Sequence, residues 1–160
     1  MITIKAQKLT RDAFAEFGDF YDCMDPKGHT LGAFFHDHMK FPVEGGRCVG
    51  ISAMVKEKVD ETIVTKAEYH NHSCELILPI DADVLLHVAP PSKAPVPEQT
   101  QAFIVPKGTA VILNIGVWHM GPTPINADKC HFFMELAERT YMTDCIIEDY
   151  PEDKHVKIEL

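Results

Sequence analysis

At 160 residues and 46% hydrophobic content, the chain is long enough to bury a core as a single domain, 1–160, without disulfide or metal staples. Its 15 Lys and Arg against 24 Asp and Glu give a formal charge of -9, which excludes the basic face that a nucleic-acid backbone needs and points to a small molecule as partner. No run approaches the roughly 20 apolar residues of a membrane span, and "MITIKAQKLT" lacks the apolar core and cleavage site of a signal peptide, so a cytoplasmic protein with no membrane partner is expected.

The elements follow in chain order. "LTRDAFAEFGDF" sets Thr10 as an N-cap, Ala13, Phe14 and Phe17 at helical spacing and Gly18 as a stop, which predicts a short helix over 10–17. From "RCVGISAMV" onward the apolar runs are short, rich in Val and Ile, and separated by turn residues: "VDETIVTKAEYH", "CELILPI", "DVLLHVAPP", "QAFIVP", "AVILNIGVWH" and "KCHFFMELA". None of the gaps is long and helical enough for a crossover, so the pattern predicts an antiparallel sandwich or small barrel. "APPSKAPVPEQ" and "PKG" read as loops between strands, and "DYPEDKHVKIEL" as a mixed-charge tail. The cysteines (Cys23, Cys48, Cys74, Cys130, Cys145) are odd in number and contain no CxxC pair; they are expected to be reduced and mostly buried.

"AEYHNHSCE" carries the chemistry. On an extended strand Glu68, His70, His72 and Cys74 share a face and Glu75 points away, so a bend at Ser73 and Cys74 is needed to bring Glu75 to the histidines. Two imidazoles and a carboxylate suit Zn, Mn, Ni or Fe, whereas a lone HxH reads more simply as two polar residues lining a strand. His119, in "NIGVWHMGP", follows a glycine-containing turn on a later strand that can return beside the first. The order His70, His72, Glu75, then Asn114, Gly116 and His119, resembles the cupin motif, which implies a mainly β, cupin-like jelly-roll antiparallel β-barrel holding one divalent metal on His70, His72, Glu75 and His119. Glu68 is the substitute carboxylate, and His87 in "VLLHV" a further ligand candidate.

"LTRDAFAEFGDF", "FFHDH", "AFIVPKG" and "VWHMGP" also resemble, in order and spacing, the ureidoglycolate lyase family, over about Leu9 to Leu136. That resemblance implies a homodimer that releases urea from ureidoglycolate, a small carboxylate, leaving glyoxylate late in purine degradation. His36 with Asp37, His70 and His119 fall on positions where the family has active-site polar residues. Where its arginines stand, this chain has Tyr69 and Ile115, and it has gained His72 and Glu75. A metal chelate of the substrate would then replace the arginines, with His36, Asp37 and behind them Glu135 as acid or base. "FFHDHMKF" also reads as a surface segment, and Trp118 as a core residue. Two other readings share the motif: a metal-dependent cupin of another class, a sugar isomerase or dioxygenase, and a non-catalytic small-molecule binder.

Overall fold

The computed structural model describes residues 1–43, 45 and 48–160. Three sheets stack in layers. A five-stranded sheet runs in the order Gly18–Asp22, Thr109–Leu113, Glu75–Pro79, Lys129–Ala137, Val49–Glu57, antiparallel throughout. A seven-stranded sheet runs Ile146–Asp149, Lys66–Tyr69, Trp118–His119, Val84–Ala89, Gln101–Val105, Gln7–Lys8, with Thr123–Pro124 also paired to Val84–Ala89. A small third sheet sets Val156–Glu159 between Ile2–Lys5 and Thr62–Val64. The expectation of a mainly β, cupin-like fold holds, as a sandwich rather than a closed barrel. The antiparallel rule has two exceptions: Ile2–Lys5 and Gln7–Lys8 each pair in parallel with a strand far along the chain.

Layering explains the apolar pattern. Phe14, Phe17, Ile77, Leu86, Val111 and Phe132 belong to a core between the two large sheets. Val64, Leu85, Ala102, Trp118, Val156 and Ile158 form a second core between the seven-stranded sheet and the small one. Val84–Ala89 therefore has both faces covered, which is why "VLLHVA" reads as a continuous apolar run with no alternation. The C-terminal tail, given no element from the sequence, supplies a strand whose Val156 and Ile158 are buried by simple alternation.

The N-terminal helix is shorter than its spacing predicts, Arg11–Phe14, with Thr10 Oγ1 accepting from the Ala13 amide at 3.3 Å as its cap. All five cysteines are free; Cys74 and Cys130 are buried, but Cys23 and Cys48 are exposed. No helix among the described residues is long and apolar enough to cross a membrane.

Candidate metal centre

The strand carrying the first motif ends at Tyr69, and the next begins at Glu75 in the other large sheet. His70 to Cys74 thus pass between sheets, and this replaces the face-sharing of a continuous strand. The passage turns Glu75 inward, where it pairs with Leu113 on the core side. From the facing sheet His119, paired with Glu68 and Val88, comes to the same place. His70 Nε2 lies 3.0 Å and His119 Nε2 2.8 Å from the single oxygen Glu75 Oε2, and all three side chains are buried.

The other nitrogen of each imidazole fixes its proton. His70 Nδ1 lies 2.8 Å from the Asp144 carbonyl and His119 Nδ1 2.9 Å from the Val117 carbonyl. A carbonyl only accepts, so each Nδ1 carries hydrogen, and in the neutral ring each Nε2 presents a lone pair toward Glu75. Two lone pairs and a carboxylate oxygen facing one another without a cation would repel. Either protons on Nε2 or a metal ion must stand among them, and the three ligand atoms lie within 4.8 Å of one another. The donor set therefore fits a divalent metal.

The metal-free electrostatics carry the same message. Burial pushes the Glu75 carboxyl up, but His119 and His70 outweigh it and hold it down at about 2. Burial pushes His119 down, yet the charge and hydrogen bond of Glu75 raise it above its ordinary value. Without metal, each group of the pair thus favours the charged form of the other.

Loop 70–74 is fixed from three directions. The Asp144 carboxylate accepts the amides of Asn71 at 2.9 Å and His72 at 2.7 Å, so residue 144 holds His70 by its carbonyl and the loop by its side chain. Ser73 Oγ accepts the Ala137 amide at 2.8 Å. The Gly116 amide donates to the His70 carbonyl at 2.8 Å, tying the two halves of the motif together. Gly116 has φ +81, a turn conformation that favours glycine, and a Cβ there would stand 3.3 Å from Pro91 Cβ.

Three of the four expected ligands converge. His72 does not: its side chain is exposed, and its part in the loop is played by its backbone amide. Glu68, half-buried beside His119, accepts the Cys145 thiol at 2.8 Å. Burial, then Glu68, pushes that thiol up to about 12, so it remains a protonated donor. His87 is buried in the strand next to His119 but belongs to neither interaction.

The proposed acid–base groups stand apart from the triad. Glu135 pairs with Leu76, one residue from Glu75, and so faces the other side of the five-stranded sheet. Asp37, with φ 57, lines a cleft with Cys74 and Ile112 on that same outer side. His36 is half-buried among His29 and Phe34. Asp144 and Cys145 were not singled out from sequence for this site: they lie on a distant segment, and the register of Ile146–Asp149 against Lys66–Tyr69 brings them to it.

A family model described as ureidoglycolate lyase matches residues 1–159. A ureidoglycolate lyase of Chelativorans sp. is 27% identical over 135 residues, covering 81% of this chain and 82% of that protein. One from Rhodobacter capsulatus is 26% identical over 132 residues, covering 79% and 82%.

Proposed function

The chain belongs to the ureidoglycolate lyase family, and from that premise we propose that it releases urea from ureidoglycolate, or from a close hydroxy-acid analogue, leaving glyoxylate. The observation that carries the mechanism is the pair of buried imidazole Nε2 atoms that converge on one carboxylate oxygen. His70, Glu75 and His119 would hold one divalent ion, Zn, Mn, Ni or Fe. Such an ion supplies Lewis acidity, lowering the pKa of a bound hydroxyl and neutralising a carboxylate.

The substrate is a carbinolamide. Its hydroxyl loses a proton, an oxygen lone pair forms the aldehyde carbonyl, and the C–N bond breaks with its electron pair passing to the urea nitrogen, which takes up a proton. Glu68 is our candidate for moving that proton. Its carboxylate shares a strand face with His119, is half-buried, and has one oxygen already oriented by the Cys145 thiol. His36, Asp37 and Glu135 are assigned no step, because Glu135 and Asp37 lie across the sheet from the triad and His36 packs on His29 and Phe34 of its own segment.

We assign the enzyme to the cytoplasm, as a homodimer acting on a small carboxylate without nucleic-acid or membrane partners. Supporting the dimer, Ile51 and Val55 stand exposed on the outer face of the edge strand Val49–Glu57.

The test incubates ureidoglycolate with metal-loaded and chelator-stripped protein and measures urea and glyoxylate. Equimolar products from the loaded form, lost on stripping and restored by metal, are expected. No product from either form ends the lyase reading; product undiminished by stripping keeps the reaction and removes the metal from it. Two histidines and one carboxylate are also the donor set of non-haem iron oxygenases, which favours one second reading, oxygen-dependent cleavage. Oxygen uptake with iron-loaded protein would select it.

A further inference from the structure

A second polar feature lies outside the triad. Val84–Ala89 is buried on both faces, and His87 is its one polar residue. The Nε2 atom of His87 is buried and has no hydrogen-bond partner among the described residues. Such an atom is rare in a folded interior, because it has given up water without a replacement.

The ladder beside it is open. Between the pairs His119 with Val88 and Thr123 with Leu85, the residues Met120, Gly121 and Pro122 stand opposite only Leu86 and His87. This is a bulge, and it bends the outer strand away from His87. The resulting cleft encloses about 230 Å³, with Lys56, Val64, Lys66, His87, Gly121 and Thr123 among its lining residues.

Lys56 crosses from the five-stranded sheet to the same cleft. Its ammonium donates to the Gly121 carbonyl at 2.6 Å, which leaves two N–H donors. It is half-buried; burial lowers its pKa, and the Glu68 charge on the inner side opposes that. Glu61 also borders the cleft, but Lys157 holds its carboxylate at 2.8 Å. His87 is kept neutral, at about 3, first by burial and then by His119 and Lys56, so it brings an N–H without a charge.

We propose that this cleft binds a small monocarboxylate, its oxygens taking the free donors of Lys56 and the Nε2–H of His87. Lys66 also lines the cleft but is exposed, so the half-buried ammonium of Lys56 is the desolvated charge that the ligand meets, and it matches one negative charge. A doubly charged phosphate would leave an excess charge close to Glu68. The site is separate from the triad: His87 projects with Leu85 and Ala89 into the outer core, while His119 pairs with Val88 on the opposite face. It does not depend on the lyase reading.

Acetate is the probe. Titrating it into the intact protein should move the Gly121 amide and His87 ring resonances saturably in NMR spectra. Lys56→Arg should keep the saturation. Lys56→Met, which retains the aliphatic stem, should weaken it by about tenfold or more, the scale of one charge-assisted hydrogen bond. His87→Leu removes an unpartnered polar atom from an apolar layer, so it should fold, and should weaken acetate similarly. No saturable shift in the parent protein overturns the site. Unchanged binding in either the Lys56→Met or the His87→Leu protein overturns it as well, and tighter binding of inorganic phosphate than of acetate overturns its charge class.

Discussion

Glu75 Oε2 collects both imidazoles, so the side chains around it should divide sharply between those that hold a metal and those that do not. His70→Ala should abolish stoichiometric metal, whereas His72→Ala should leave metal content unchanged, because the His72 side chain is exposed and only its amide is engaged. Metal analysis of the two purified variants decides this, and loss of metal from both would restore the four-ligand set expected from sequence. Asp144 acts one shell further out. Removing its carboxylate in Asp144→Ala frees two loop amides, which should cost about 2 kcal/mol of stability, or roughly 4–8 °C in Tm for a chain of this size. Metal affinity should fall about tenfold or more, because the loop that aims His70 is loosened. Asp144→Asn keeps one acceptor and should recover part of both, as thermal melts and metal titrations would read. Glu68→Gln should keep metal and lower kcat by about 10²-fold, the usual scale for a lost acid or base; a variant with full turnover would remove Glu68 from the chemistry.

At the scale of elements, the turns decide how far a sequence reading reaches. Strand runs such as "ELILP", where buried and half-buried positions alternate, and "TAVIL", buried throughout, are legible as short apolar runs bounded by turn residues. Residues 70–74 were harder. Strand periodicity placed His70 and His72 on one face with Glu75 opposite, but the chain leaves one sheet at Tyr69 and enters another at Glu75, so the spacing that matters is that of a loop. The need for a bend before Glu75 could be read; that the bend would turn His72 outward could not. Glu135 failed for a related reason: its type was plausible, but its face depends on register, and pairing with Leu76 puts it across the sheet from Glu75. Gly116 holds the second half of the motif in position. Gly116→Ala forces a side chain into a φ of +81 and against Pro91, which should cost about 1–2 kcal/mol, and the strain should pull its amide from the His70 carbonyl. A thermal melt reads the first effect and metal content the second; a variant unchanged in both would mean that the turn does not couple the two halves of the site.

Over the whole molecule, the buried Glu75 and His119 link folding to pH, and metal should reverse part of that link. Glu75 has a folded pKa near 2, below its ordinary value of 4.5, so its contribution is present above about pH 4.5 and is lost as pH falls toward 2. His119 has a raised folded pKa, so its contribution is complete below its ordinary value of 6.5 and is lost as pH rises through the folded value. The metal-free protein should therefore be most stable between about pH 4.5 and 6.5 and lose Tm on the alkaline side, where a buried carboxylate is left facing two lone pairs. Metal binds the deprotonated imidazoles, so its affinity should rise with pH over the same interval in which the metal-free fold weakens, and binding should release protons. Melting curves across pH 4 to 9, with and without saturating zinc, should thus separate progressively as pH rises. Parallel curves would mean that His70, Glu75 and His119 hold one another through protons alone. A gap that also persists in Glu75→Gln would mean that the ion binds elsewhere.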